Sequence, residues 1–190
     1  MIRIGVMALL LALSLALATK AATADDHPLL FPSRDVAVTY QILGESRQQA
    51  DAAHVTGIRV SFAGGGRQMR IEPIGRPAYM LIDRAAKKML VVMPAQHSFM
   101  ELPFDANQFL HFDEADAHLT KRGHVTVSGL DCTEYDVQTP HGQGTTCLTN
   151  DGVMLRAKGT TTEHRGGGLE ATEVSYGAQP AALFVPPADF

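Results

Sequence analysis

The chain has 190 residues, 16 Lys and Arg against 20 Asp and Glu, a formal charge of -4, two cysteines and no tryptophan. That balance, with no basic stripe, excludes nucleic-acid binding, which needs clustered cations to neutralise phosphates. Beyond its first residues the sequence has no apolar run long enough to span a bilayer.

The N-terminus has Arg3, the apolar run "IGVMALLLALSLALA", and "ATA" at Ala22 to Ala24. This is the layout of a secretory signal peptide with a small-x-small cleavage box. We therefore expect a signal peptide over residues 1–24 and a single exported domain over 25–190, about 166 residues, enough for one sizeable core. Export implies an oxidising compartment, in which Cys132 and Cys147 with no third thiol are most simply a disulfide. Neither C-x-x-C spacing nor a four-ligand zinc pattern surrounds them.

After an extended lead-in to Pro32, "DVAVTYQIL" alternates Val36, Val38, Tyr40 and Ile42 against smaller or polar residues, a strand with one face on a core. "GIRVSFAGGGRQMRIEPIG" reads as a hairpin turning at Gly64 to Gly66. Three short strands follow, Ala78 to Asp83, Lys88 to Met93 and Ser98 to Leu102, linked by "RAAK" and "PAQ". Several are apolar on both faces, and a strand of that kind must be covered twice.

"PFDANQFLHFDEADAHLTKRG" changes period, with Phe104, Phe109, Leu110, Phe112 and Leu119 at helical spacings, and predicts a helix within Asp105 to Lys121 ended by Gly123. Strands resume with "HVTVS", "CTEYDV", "GTTCLT", "VMLRAKGTT" and "LEATEVSYG", with turns at "PHGQG", "NDG" and "HRGGG". The tail "LFVPPADF" is extended by its prolines. Ten or eleven antiparallel strands with connections too short for crossovers make a mainly β (α+β) fold. The sheet is expected to curve strongly into an incomplete barrel with the helical insertion as its lid.

Chemistry is sparse. His111, Glu114 and His118 would share one stripe of the predicted helix and could meet a divalent metal, but the same spacing suits the wet face of an amphipathic helix. No G-x-S-x-G elbow occurs, and neither glycine triplet leads into the helix a phosphate loop requires. Glu170 and Glu173 fall on opposite faces of a regular strand. Nothing calls for a cofactor, and the chain is expected not to be an enzyme.

Apolar surface is the more informative signal. Met69, Met80, Met89, Met93, Met100 and Met154 all fall in predicted strands, where flexible thioethers adapt to acyl-like ligands or to irregular cores. The layout also resembles the LolA/LolB-like superfamily of exported lipoprotein carriers, and more closely a domain family of unknown function in or near it. The resemblance rests on "VTYQILG", "YMLIDRAAKKMLVVMPAQHSFMEL", "GLDCTEYDV" after the insertion, and the closing "FVPPADF". It implies an incomplete antiparallel barrel whose concave apolar face, closed by helices, holds acyl chains. The expected role is that of an exported binding protein in the periplasm of a Gram-negative bacterium, sheltering a hydrophobic small molecule, lipid or lipoprotein acyl chain. The lining would come from Tyr40, Ile42, Val60, Phe62, Met80, Ile82, Met89, Val91, Phe109 and Phe112. The alternative is an interaction or regulatory module for an envelope protein partner, with a solid core.

Overall fold

The computed structural model describes residues 28–104, 117–161 and 166–190. Eleven strands form one antiparallel sheet in the order β6-β5-β4-β3-β2-β1-β11-β10-β9-β8-β7, which does not close on itself. In chain order they are β1 (Val36–Gly44), β2 (Gly57–Ala63), β3 (Gln68–Ile74), β4 (Tyr79–Asp83), β5 (Lys88–Met93) and β6 (Ser98–Leu102). After residues 103–117 come β7 (His118–Val127), β8 (Leu130–Thr139), β9 (Gly142–Leu148), β10 (Met154–Thr161) and β11 (Gly166–Tyr176). Two meanders therefore flank the central pair β1 and β11, and the sheet's edges are the consecutive strands β6 and β7.

Register resolves which faces the alternating residues occupy. Val36, Phe62, Met69, Ile82, Met89 and Leu102 stand opposite one another across β1 to β6, and so do Val38, Val60, Ile71, Met80, Val91 and Met100. This inner face joins Val127, Cys132, Cys147, Val153 and Leu155 of the other meander in one core. The sheet bends sharply to allow it. The Ser128 hydroxyl, in the β7–β8 turn, donates to the Ala171 carbonyl of β11, although neighbouring strands lie about 4.8 Å apart and three spacings separate β8 from β11.

The outer face of the β1–β5 half is covered too. Ala37, Ser61, Leu81 and Leu90 are buried in one register row with Arg70, beside Val92. The chain's end closes over them: Phe190 packs on Leu81, Leu90 and Val92, and Arg70 Nη1 donates to the Leu183 carbonyl at 3.1 Å. The same guanidinium lies 3.6 Å from the Tyr79 ring centroid and pairs with Glu72 at 2.8 Å. The second apolar face of β4 and β5 is thus consumed by the chain's own tail.

The lead-in is seated between two glycine turns at Phe31 and Pro32. An added side chain at Gly66 (φ 73) or Gly152 (φ 87) would strike the Pro32 or Phe31 carbonyl, and Arg84 stacks 3.3 Å from the Phe31 ring centroid. The Ser128–Gly129 turn has φ 50 and 77, the two positive values that suit a tight hairpin loop between twisted strands.

Three sequence expectations need correction. The helix drawn to Lys121 cannot extend that far, because His118–Val127 is strand β7, and Gly123 lies in that strand beside a bulge instead of capping a helix. The rest of that segment, residues 105–116, lies outside the described residues, as does the predicted signal peptide. The helix that is described is α1 (Glu45–Ala52), a short polar segment with only Ala50 buried and an Arg47–Asp51 pair at 2.9 Å. Finally, Gly142, Gly144 and Gly166 to Gly168, read as turn residues, belong to β9 and β11.

Cys132 and Cys147 are disulfide-bonded with Cα atoms 5.5 Å apart, bridging β8 and β9 from within the core. Closing a loop of sequence separation 15 stabilises by about 3 kcal/mol, so a Cys132→Ala/Cys147→Ala chain should lose about that much in chemical denaturation, and the intact protein should lose it on reduction. Deleting residues 181–190 should uncover Leu81, Leu90 and Val92, costing several kcal/mol at about 1.5–3 per buried apolar side chain. Tm and binding of an apolar dye would report it.

Candidate functional site

Eight of the ten predicted lining residues lie on the inner face: Tyr40, Ile42, Val60, Phe62, Met80, Ile82, Met89 and Val91. Phe109 and Phe112 lie outside the described residues. Along the first row, from Val36 through Phe62, Met69 and Ile82 to Met89, exposure never exceeds 7%, and these side chains pack on one another. Along the second it climbs from 0% at Val38 and 8% at Val60, through half-buried Ile71, Met80 and Val91, to 48% at Met100. Among the described residues of β1 to β6 the apolar face is therefore filled at the centre and opens toward the rim at β6.

Tyr40 shows how the centre is filled. Its ring is buried and its hydroxyl donates to the Met154 carbonyl of β10 at 2.8 Å. Burial raises the phenol's pKa well above its ordinary value, so the group remains a neutral donor that spans the core.

A cavity of about 910 Å³ lies elsewhere, as an open groove across the ends of β1 and β7 to β11. One register row there is Leu43, Gly168, Lys158, Thr145, Asp136 and Thr120. The next row is Gly44, Gly167, Gly159 and Gly144, four glycines on four adjacent strands, followed by Val137. Beyond them, Gln138, Gln143 and Thr160 add polar side chains to the lining. Sequence reasoning missed this groove because it placed Gly144 and Gly167 in or beside turns and could not see that register aligns them with Gly44 and Gly159. A glycine inside a strand marks close backbone approach.

The helical stripe read for the metal alternative does not reach His118. His118 is an exposed residue of a strand and so cannot continue a helical stripe; His111 and Glu114 lie outside the described residues. Among the described residues no group of three His, Cys, Asp or Glu could hold a metal ion. The carboxylate pair is also rearranged: a bulge in β11 sets Glu170 opposite Gln41 and Glu173 opposite Thr39, two positions of one β1 face. Glu170 is engaged by Arg156 at 2.5 Å and by the Gln41 amide at 3.1 Å. The Arg156 bond leads the causes that hold its pKa below the ordinary carboxylate value.

A second polar cluster fastens the lead-in. Asp151, in the β9–β10 loop, accepts from Arg34 at 2.8 and 3.0 Å, from Thr149 at 2.5 Å and from Tyr176 at 3.2 Å. Burial alone would raise its pKa, but the bonds from Thr149 and Arg34 and the Arg34 charge outweigh it and hold the carboxyl below its ordinary value.

Residues 56–160 match the family described as "Domain of unknown function (DUF4412)". The chain belongs to that family. No curated protein sequence matches it. Among solved structures it is similar to MucB, with TM-score 0.50 and 12% identity over 84% of this chain and 60% of that one. It is also similar to the MucA/MucB complex from Pseudomonas aeruginosa, with TM-score 0.46 and 14% identity over 77% and 53%. A third is a candidate outer membrane lipoprotein-sorting domain from Vibrio parahaemolyticus, with TM-score 0.39 and 9% identity over 79% and 89%. The chain spans about three-fifths of the MucB structure, and at 12% identity the likeness is one of fold alone.

Asp151 provides a pH test. A carboxylate with a depressed folded-state pKa contributes stability above its unfolded value, and that stability is lost as pH falls through the folded value. Asp151→Asn should therefore cost on the order of 1 kcal/mol at neutral pH. The gap from the native chain should shrink below pH 3.8, as read from unfolding curves across pH.

Proposed function

We propose that the chain is an exported, periplasmic, non-enzymatic interaction module: an incomplete barrel of LolA/LolB-like type that holds an envelope protein partner along its open rim. The observation that carries this reading is the exposure gradient of the second inner row, from buried Val60 to Met100 at 48%. It lies beside β6, an edge strand of the sheet that the described residues form. Such an edge offers free backbone donors and acceptors to an added strand, while the adjacent apolar strip selects its side chains. The disulfide in the core suits an oxidising compartment. No helix among the described residues is long and apolar enough to cross a membrane.

Sheltering an acyl chain is the second reading, and half-buried Met80 with exposed Met100 favours it, since thioethers conform to irregular hydrocarbon. The self-packed centre counts against a deep pocket there, because a well-filled interior leaves no room for a tail without displacing side chains. A lipid would then lie at the rim.

A photo-crosslinking residue at Met100, compared with one at exposed Asp131 on the far hairpin, separates these readings in the envelope. A discrete protein adduct from Met100 and none from Asp131 is expected, with an apo mass for the purified protein in native mass spectrometry. Reproducible acyl-chain species on the purified protein would move the assignment to the lipid reading. No adduct from either position would end the interaction reading.

A further inference from the structure

We propose that the groove at the glycine-rich end of the sheet is a separate binding site for a neutral, hydroxyl-rich ligand, an oligosaccharide. It differs from the rim in position and in chemistry. The groove crosses six strands, from Leu43 of β1 to Thr120 of β7. Its volume of about 910 Å³ has room for several sugar rings.

The lining argues for uncharged polar recognition. Thr120, Gln138, Gln143, Thr145 and Thr160 contribute three hydroxyls and two carboxamides, each able to donate and to accept. None of the five is hydrogen-bonded through its side chain to another described residue, so their capacity is open to a ligand. The lining itself carries one charge of each sign, Lys158 and Asp136. A phosphate or sulfate would find one lysine and no arginine fork in the lining. A hydrocarbon tail would find only Leu43 and Val137 among side chains of its kind.

The glycine row supplies a floor. Gly44, Gly167, Gly159 and Gly144 stand side by side across four strands, and neighbouring backbone and Ser46 close into the space their side chains would take, which lets the strands coil into a trough. The row is also dictated by packing: a Cβ at Gly144 would lie 2.2 Å from the Lys158 carbonyl, and one at Gly167 would collide with Ser46 of α1. Tight coiling of the strands and a bare polar trough are thus products of the same residues.

The test is titration of the isotopically labelled protein with pentasaccharides of glucose and of N-acetylglucosamine, followed by amide NMR. We expect saturable shifts at Gly144, Gly159 and Gly167. A Gln138→Ala/Gln143→Ala chain, altered only at exposed positions, should keep its Tm and lose about tenfold or more in affinity, as removal of two ligand hydrogen bonds implies. Absence of shifts at millimolar sugar across the panel would overturn the proposal. So would shifts that survive the double substitution, or tighter binding by a sulfated oligosaccharide than by its neutral counterpart. Crosslinking at Met100 reads the rim, so failure of one site leaves the other standing.

Discussion

Strand β1 is bonded to β2 on one side and to β11 on the other, so the first and last strands of the chain meet at the centre of the sheet. Every other element depends on that junction. The β2–β6 and β7–β10 meanders are each held by local hairpins, but neither covers its own apolar face. Only when β1 and β11 pair do Val36 and Val38 meet Cys147 and Leu155 in a common core. Val36, Ala37 and Val38 are consecutive and all nearly inaccessible, as a central strand covered on both faces must be. The pairing joins residues more than a hundred positions apart, so its loop-closure entropy is met before the core rewards it, an arrangement that slows folding. The Cys132–Cys147 bond lies in the later meander and shortens part of that search.

The strands were legible because their side chains obey a period of two. Lys88–Met93 and Ser98–Leu102 appear with the boundaries read from the residues, and the eight described lining residues share a face because alternation within a strand survives whatever the strand order. What period cannot reveal is adjacency. Nothing local in Val36–Gly44 announces β11 as its neighbour. The expectation failed where residue type had more than one structural use. Glycines were taken as turns, yet Gly144 and Gly167 sit in strands where neighbouring backbone or helix leaves no room for Cβ. The polar α1 lacks an apolar stripe and gave no periodic signal, while Leu119 at helical spacing from upstream phenylalanines drew a helix into what is β7.

The apolar surplus that suggested a sheltered ligand is largely accounted for by the chain itself. Leu81, Leu90 and Val92 form the second apolar face of strands expected to need cover on both sides, and Phe190 with the segment held by Arg70 covers them. Arg70 is suited to that task because its planar guanidinium stacks on Tyr79 while two nitrogens bond Glu72 and the Leu183 carbonyl, a combination a lysine could not reproduce. The tail is thus a structural layer, though not the fully extended one its prolines suggested: Ala181–Phe184 is a 3₁₀ turn that presents the Leu183 carbonyl to Arg70, and the extended form begins only beyond it.

Once the tail and the inner core are both filled, the molecule retains two surfaces of contrasting character. At β6 the inner row runs out of partners because the sheet has an edge, and hydrophobic exposure there follows from topology. At the opposite meander the sheet coils so tightly that side chains must be deleted from successive strands, and the polar trough follows from sterics. Neither surface needs a catalytic group, and the two share no residue. Between the proposed rim and trough sites lies a packed centre in which the Tyr40 hydroxyl bonds the Met154 carbonyl, so on this reading each surface can be tested without altering the other.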